Sequence, residues 1–178
     1  VAAKVAEQER SGEPQPGDVL YSEGMRVGYR GFPQATPPLF HFGFGLSYTR
    51  FSYGPIQVRQ TSRCDEANGP RAVVTVAVKN EGERAGAEIV QLYVEVVDGA
   101  AEAIAGPRAL RAFRRTEELS SGSSEEVALE LDPRGLGAWY NVAGQAWRLP
   151  AKAWRVRLSL APSAERGKLH GEVELVLQ

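Results

Sequence analysis

The sequence predicts an all-β protein, an antiparallel β-sandwich preceded by a mostly irregular N-terminal segment. Apolar and polar residues alternate from residue 71 onward, as they do in strands with one buried face. Turn-forming residues separate these runs, and no helical period is long enough to cross over between parallel strands. The chain has 178 residues, of which 43% are hydrophobic, so it can bury a core of ordinary size.

Five alternating runs each predict a strand whose apolar side chains face the core. Stretches rich in glycine, asparagine and serine, such as "KNEGERAG" and "LSSGSSE", separate the runs. Polar residues occupy the alternate positions, so each of these strands is expected to be half solvated. The residues expected to point inward are Val74, Val76 and Val78; Val90, Leu92, Val94 and Val96; Val127, Leu129 and Leu131; Trp154, Val156, Leu158 and Leu160; and Val173, Leu175 and Leu177.

Two further stretches complete the predicted strands. Counting "RFSYGPIQV" as the first strand and "RALRAFRR" as another gives about seven, which is typical of an immunoglobulin-like or fibronectin type III-like sandwich. The excess length falls in "PRGLGAWYNVAGQAWRLPA", residues 133–151, which we interpret as an excursion before the penultimate strand. Residues 1–50 begin with a candidate short helix, "VAAKVAEQER", and are too few and too irregular to close a core of their own.

Composition and charge exclude several classes of function. The 21 basic and 22 acidic residues are spread evenly and leave a net charge of −1, so no nucleic-acid or membrane partner is expected. No apolar run approaches the roughly 20 residues of a membrane span, and the first residues do not form a signal peptide. Because the chain starts with neither Met nor a targeting segment, we expect it to be part of something longer. Cys64 cannot form an internal disulfide and is interpreted as a spectator thiol in a loop.

No constellation of titratable residues predicts catalysis. The two histidines, His41 and His170, have no metal-ligand or triad spacing and are interpreted as surface or rim residues. Acidic residues mostly alternate outward on strands or lie in turns, where carboxylates keep ordinary pKa values. The sequence therefore predicts no catalytic, metal-binding or cofactor-binding residue, and no cofactor.

Three residues could still contact a sugar or another domain. Glu23 lies in the glycine-rich stretch "YSEGMRVGYRGF", near tyrosines and Arg26, where a carboxylate either binds sugar hydroxyls or makes a structural ion pair. Trp139 and Trp147 lie in the 133–151 excursion, where they either bind a sugar or contact another domain, or anchor the excursion to the sandwich, which is the commoner use of such aromatics. Trp154, by contrast, alternates with Val156 and is expected in the core.

Four stretches of the chain resemble a known family. They are "YSEGMRVGYRGF", "PLFHFGFGLSYTRFSY", "VKNEGERAGAEIVQLYV" and "ALRAFRRTEELSSGSSEEVALELDPRGL". In that order they resemble the C-terminal end of glycoside hydrolase family 3 enzymes, the β-glucosidases and β-xylosidases, with β-glucosidases the closer likeness. The most specific feature is "FGFGLSYT" occurring together with "NEGERAGAEIVQLY". The chain departs from the family where its usual Leu-x-Gly-Phe reads Leu110–Phe113, with alanine in place of glycine.

The resemblance implies an architecture of three parts: a barrel, an α/β sandwich and a C-terminal fibronectin type III-like domain. It implies that residues 1–50 are the closing segment of the α/β sandwich with a linker, and that residues 51–178 are the last domain. Because the family's nucleophile and acid/base lie upstream of the matched region, no catalytic residue is carried over and the isolated chain is expected to be inactive. The parent would be a retaining β-glucosidase that hydrolyses terminal β-linked sugars without a cofactor.

The expected partners and location also follow from the resemblance. The partners would be the catalytic domains of the parent enzyme and, through them, a β-glycoside substrate. Family members suggest a secreted, periplasmic or vacuolar location. The alternative is a free-standing, non-catalytic β-sandwich that binds glycans or a protein partner.

The stretch "PPLFHFGFGLSYTRFSYG", residues 37–54, is interpreted as a joint between domains. Pro37 and Pro38 favour extended backbone, whereas Gly43 and Gly45 permit a positive φ or a close backbone approach. The joint also carries several large apolar side chains and few polar ones. We therefore expect it to seat the sandwich on the catalytic domains, and to be partly exposed in this chain.

Overall fold

The computed structural model describes residues 23–24, 26–32, 36–61, 71–97, 108–132, 134–136, 139–141, 144–148, 154–163, 165 and 170–177. These residues contain a short 3₁₀ helix, Gly28–Arg30, and ten strands. None of the described helical structure is long and apolar enough to cross a membrane. The strands are β1 (Phe51–Tyr53), β2 (Gln57–Thr61), β3 (Arg71–Asn80), β4 (Ile89–Val96), β5 (Ala109–Arg115), β6 (Ser124–Leu131), β7 (Trp139–Asn141), β8 (Ala146–Arg148), β9 (Trp154–Ala161) and β10 (Gly171–Leu177).

Two antiparallel sheets form the sandwich. In the first sheet β3 pairs with β6 on one side and with both β1 and β2 on the other. The second sheet has the order β10-β9-β4-β5. Because β1 and β2 follow one another along the same edge of β3, the sandwich has the seven strand positions that the sequence predicts. The predicted fold class, an all-β fibronectin type III-like sandwich, is confirmed.

The first predicted strand is broken in two. "RFSYGPIQV" was expected to run as one strand, but the ladder stops after Tyr53 and resumes at Gln57. Gly54 N still donates to Ala77 O at 2.8 Å, whereas Pro55 has no N–H to donate. Proline within a strand is tolerated at a sheet edge, and this is where the break lies. The expectation of a continuous strand is therefore wrong.

The core lies between the two sheets and consists of the predicted inward side chains of β3, β4, β6 and β9. Full burial of a valine or leucine stabilises a fold by about 1.5 to 3 kcal/mol, so this layer supplies the main driving force for folding. Val173 and Leu175 of β10 are half-buried, and the side chains of Trp154 and Leu177 lie outside the described residues. The buried members are Val74, Val76, Val78, Val90, Leu92, Val94, Val96, Val127, Leu129, Leu131, Val156, Leu158 and Leu160.

Strand β4 is buried on its inner face and, at Gln91 and Tyr93, on its outer face as well. The alternation predicts a half-solvated strand, but Gln91 and Tyr93, which point away from the core, are also buried, at 5% and 0% exposure. The prediction is wrong for this strand because another part of the chain covers its outer face. A β-bulge between Leu92 and Tyr93 shifts the register with β5 at the same place.

The 133–151 excursion contains a short hairpin. Strands β7 and β8 pair so that Trp139 lies opposite Arg148 and Tyr140 opposite Trp147. The sequence predicts the excursion but not its strands. The candidate helix in residues 1–10 and the loop around Cys64 lie outside the described residues.

Candidate functional site

Residues 26–32 and 36–49, called the arm below, contact the outer face of the second sheet. The first contact is made by Tyr29, whose hydroxyl accepts a hydrogen bond from Leu110 N at 2.7 Å. Its ring meets the ring of Tyr93 edge-on, with centroids 5.9 Å apart and planes at 79°. Phe42 stacks on Tyr29 from the other side at 5.2 Å and 27°. Three rings therefore form a column that rises from β4 into the arm, with Tyr29 in the middle.

The second contact joins Gly43 to Gln91. Gly43 has a φ of 81° and lies in a turn closed by a hydrogen bond from Phe44 N to His41 O at 2.9 Å. A Cβ on Gly43 would lie 2.4 Å from Gln91 Nε2 and 3.0 Å from Pro162 O. Both the left-handed backbone and the lack of space therefore require glycine at this position.

A chain of hydrogen bonds holds the surface beneath Gly43 in place. Tyr93 Oη donates to Gln91 Oε1 at 2.5 Å, and Gln91 Nε2 donates to Pro162 O at 2.8 Å. The guanidinium of Arg108 lies 4.4 Å from the centroid of the Tyr93 ring, within the range of a cation–π contact. Burial raises the pKa of Tyr93 to about 12, and the charge of Arg108 opposes that rise. Tyr93 is therefore a neutral hydrogen-bond donor at ordinary pH.

The third contact joins Thr49 to Asn80, which is fully buried at the end of β3. Asn80 Oδ1 accepts hydrogen bonds from Thr49 Oγ1 at 2.5 Å and from Gly82 N at 3.0 Å. Asn80 Nδ2 donates to Arg84 O at 2.7 Å and to Leu119 O at 2.8 Å. The side-chain amide therefore uses both donors and two acceptor positions, and it ties the arm to two loops of the sandwich.

The arm leaves a row of large apolar side chains exposed, called the ridge below. Leu39 and Leu46 are 89% and 94% exposed, and the rings of Phe40 and Phe44 pair at 4.8 Å. Monomeric soluble proteins seldom expose contiguous apolar surface of this kind unless it binds something. The ridge consists of Leu39, Phe40, Phe42, Phe44, Leu46 and Tyr48.

Exposed apolar side chains continue from the arm onto the sheet. Phe113 of β5 is 69% exposed, and its Cα lies opposite that of Gln91, the residue beneath Gly43. Ile89 of β4 is also exposed, on the same outward row as Gln91. The apolar surface therefore includes part of the sheet as well as the arm.

The other half of this outer face is polar. Arg157 Nη1 lies 3.5 Å from Glu95 Oε2, and Arg157 Nη2 donates to Glu174 Oε1 at 2.8 Å. The hydrogen bond to Glu174 is the main cause of a raised Arg157 pKa. Ser159 Oγ donates to Glu172 Oε1 at 3.1 Å beside it. Such partly exposed ion pairs contribute little stability, but they make this half of the face polar, with Ser159 fully buried beneath the charged side chains.

Three residues with shifted pKa values, Tyr53, Glu88 and His170, lie at the edge where the two sheets meet. The rings of Tyr53 and His170 stack at 3.9 Å with planes 3° apart. Burial lowers the pKa of His170, and burial followed by the charge of Glu88 raises that of Tyr53. Burial also raises the pKa of Glu88, although Glu88 Oε1 accepts a hydrogen bond from Ile89 N at 3.0 Å. This cluster joins β1 to the start of β10 and makes that contact sensitive to pH.

A cleft of about 640 Å³ opens at one end of the sandwich, between β5 and β6. Arg111 and Arg134 line it together with Glu130 and Asp132. Asp132 Oδ1 accepts a hydrogen bond from Gly135 N at 2.8 Å, so this carboxylate serves a turn. Burial lowers the pKa of the Arg111 guanidinium. The charges of the cleft are of both signs and thus select no single class of ligand.

The three residues singled out in the sequence occupy two separate parts of the structure. Glu23 is exposed in a turn in which its carbonyl accepts a hydrogen bond from Arg26 N at 3.0 Å. Trp139 and Trp147 share the β7–β8 hairpin, but their side chains lie outside the described residues. In the part of the chain that the structure describes, no group of three or more histidine, cysteine or acidic residues could hold a metal ion.

Sequence reasoning missed the residues that seat the arm: Tyr29, Gln91 and Asn80. One signal was present in β4, where the first three outward positions hold the uncharged Ile89, Gln91 and Tyr93 and only the fourth, Glu95, is charged. The outward positions of β6 include Glu126 and Glu130, as expected for a solvated face. The uncharged first part of the outward row thus indicated that this part of the face of β4 is covered.

The fold and its covered outer face define the class of the protein, a fibronectin type III-like β-sandwich. Residues 88–160 match the family model described as the fibronectin type III-like domain. A β-glucosidase of Pyricularia oryzae is 40% identical over 152 residues, which cover 78% of this chain and 21% of that protein. A β-glucosidase of Rhizobium radiobacter is 40% identical over 151 residues, which cover 84% of this chain and 17% of that protein.

Solved β-glucosidases share the architecture. The enzyme from Chaetomella raphigera superposes with a TM-score of 0.77 at 29% identity, over 96% of this chain and 25% of that one. A family 3 β-glucosidase from Bifidobacterium adolescentis gives 0.74 at 30% identity, over 92% and 22%. The recognition made from the sequence is confirmed: the chain is related to a part of the family 3 β-glucosidases. It spans about a fifth of the length of the curated relatives it matches.

Proposed function

We propose that this chain is the non-catalytic C-terminal part of a family 3 β-glucosidase, and that its sandwich braces the catalytic domains of that enzyme. The observation that carries the proposal is the exposed ridge, in a chain that matches only about a fifth of each curated β-glucosidase. A solvent-exposed apolar ridge is costly unless it is covered, and the unmatched remainder of such an enzyme can supply the cover.

The proposed role is structural because of the chemistry that the reaction requires. Retaining hydrolysis of a β-glycoside needs two carboxyl groups about 5 to 5.5 Å apart, one as nucleophile and one as acid/base. The resemblance implies that both would lie upstream of this region. Carboxylates on the described strands, such as Glu126 and Glu130, point outward into solvent instead.

The brace would act by burying the ridge. Each large side chain that passes from water to a protein interface can contribute on the order of 2 to 3 kcal/mol before the costs of association. The substrate would be a terminal β-linked sugar bound by the upstream domains, without a cofactor. The chain itself would then affect hydrolysis only through the stability and geometry of those domains.

A graft into a relative tests the proposal. The region of the Rhizobium radiobacter β-glucosidase that matches this chain is removed, and this chain is inserted in its place. We expect removal to lower the melting temperature and the hydrolysis of a chromogenic β-glucoside, and the graft to restore both. The purified chain alone should hydrolyse no more than a heat-killed control.

Two outcomes would contradict the proposal. Hydrolysis by the isolated chain would show that it carries catalytic residues. Saturable binding of a β-linked oligosaccharide to the isolated chain, abolished by Trp139→Ala, would favour a free-standing glycan-binding module. A graft carrying Val176→Ser, an exposed position on β10, serves as the control for substitution as such.

A further inference from the structure

We propose that the arm is a rigid part of the sandwich and presents the ridge, already ordered, to the catalytic domains of the same enzyme. The joint interpreted from the sequence would then not be a flexible hinge between two domains. The identity of the partner rests on the proposed function. The rigidity of the arm rests only on the contacts of this chain.

The three contacts are spread along the whole arm. Tyr29 lies near its start, Gly43 in its second half and Thr49 at its end. Their partners lie on three strands: β5 for Leu110, β4 for Gln91 and β3 for Asn80. The first two strands belong to one sheet and the third to the other. A segment held at three separated points on both sheets cannot rotate relative to the sandwich.

Three glycines at the second and third contacts are enclosed, whereas Gly28 and Gly45 have open space around them. A hinge would use glycines for their freedom, which these three lack. A Cβ on Gly82 would lie 2.2 Å from Thr49 Oγ1, and one on Gly86 would lie 2.8 Å from Thr49 Cγ2. Gly43 is enclosed by Gln91 in the same way. These glycines permit close packing of the arm and do not provide a pivot.

The composition of the ridge suits an apolar protein surface as its occupant. Residues 37–48 contain no Asp, Glu, Lys or Arg, so the surface suits an apolar protein partner and not a charged one. About four fifths of the length of the curated relatives lies outside the match, which is ample chain to cover the ridge. Because the arm is ordered before docking, association would not have to fix its backbone. A second copy of this chain is the competing occupant and is distinguished below.

Hydrogen exchange of the 178-residue chain tests the rigidity. In the wild type we expect the amides of Phe44 and Leu110 to exchange at least a hundredfold more slowly than in an unstructured chain, because both donate to the arm's hydrogen bonds. Gly43→Ala should speed exchange at Phe44 at least tenfold, and Tyr29→Phe should do so at Leu110. The amides of β3 should be unchanged in both variants.

Gly45→Ala is the matched control. Nothing lies within 4 Å of a Cβ at Gly45, so this substitution should leave exchange unchanged. Unprotected Phe44 and Leu110 amides in the wild type would overturn the rigid arm. Equal effects of Gly43→Ala and Gly45→Ala would overturn it as well.

The partner is tested separately in the grafted enzyme, so that a wrong partner can be distinguished from an arm that is not rigid. Leu39→Ser with Leu46→Ser should lower the melting temperature of the graft and leave exchange at Phe44 and Leu110 unchanged in the isolated chain, because these two side chains are 89% and 94% exposed. An unchanged melting temperature, with the amides still protected, would overturn the assigned partner and the bracing role but not the rigidity. Dimerisation of the isolated chain, abolished by the same pair of substitutions, would assign the ridge to a second copy.

Discussion

The hydroxyl of Thr49 donates a 2.5 Å hydrogen bond to the buried side chain of Asn80. Thr49 ends the stretch "FGFGLSYT", and Asn80 begins "NEGERAGAEIVQLY". The contact between Gly43 and Gln91 joins the same two stretches. The two motifs that together carried the resemblance are therefore neighbours in space. Their joint occurrence has a physical reason, since two of the three contacts that seat the arm join one motif to the other.

Asn80→Ala should destabilise the chain by about 3 kcal/mol, because it leaves two carbonyls and two donors without the partner they use. Thr49→Val removes a single hydroxyl and should cost about 1 kcal/mol. Urea unfolding followed by circular dichroism measures both, with the exposed Glu126→Gln as the control. Equal stability of Asn80→Ala and the wild type would show that the amide network does not hold these loops.

Glu88 should make the chain less stable as pH rises. Burial raises its pKa in the folded state, so folding favours the protonated form. The stability that Glu88 contributes to the fold is complete below pH 4.5 and is lost as pH rises through the pKa of Glu88 in the folded state. Glu88→Gln should therefore gain stability relative to the wild type between pH 4 and about 7, as measured by urea midpoints. A constant difference across that range would contradict the raised pKa.

Tyr53 should limit stability at alkaline pH. Burial and the Glu88 charge raise the pKa of Tyr53 above 10 in the folded state, so folding favours the neutral phenol. The resulting stabilisation is complete below pH 10 and is lost as pH rises through the raised pKa of the folded state. Between pH 8 and about 11.5, Tyr53→Phe should therefore lose less stability than the wild type does. Tyr48→Phe changes a tyrosine that is 90% exposed and should behave like the wild type. Identical alkaline curves for all three proteins would rule out this role of Tyr53.

The ridge should bind an apolar dye in the isolated chain. Leu39→Ser combined with Leu46→Ser should lower the fluorescence of bound anilinonaphthalene sulfonate without changing the urea midpoint, because these side chains are 89% and 94% exposed. Val176→Ser, on the opposite edge of the second sheet, should leave the fluorescence unchanged. A wild-type chain that binds no dye would show that the ridge is covered in solution.

Alternation predicted the core residues of β3 and β6 correctly, and likewise Val156, Leu158 and Leu160 of β9, because the buried face of a half-buried strand appears in its own sequence as every second residue. It failed for the outer face of β4, because the cover is irregular chain that lies about 40 to 60 positions upstream and has no period. Strands β7 and β8 have three residues each, too few to show an alternation. The sequence identified the joint by its aromatic content but could not show that Tyr29, Gly43 and Thr49 fasten it.

The roles predicted for Glu23, Trp139 and Trp147 stay predictions. Glu23 is exposed in a turn, and the two tryptophans belong to a hairpin whose backbone alone is described. A short stretch rich in tryptophan and glycine is equally suited to ligand binding and to packing, because both uses need flat apolar area.

The break at Gly54 and Pro55 limits how a strand of another protein can pair with this edge of the first sheet. An open sheet edge is a template on which a foreign strand can grow, and fibrils and strand-exchanged dimers begin there. Along the outer edge of the first sheet such a strand would find three residues of β1, an interruption at Pro55, and then five of β2. Neither piece is long enough to hold a visiting strand firmly. The broken edge therefore disfavours the addition of a strand from another protein by backbone hydrogen bonds. Another protein is expected to bind instead through side-chain contacts on a face of the sandwich.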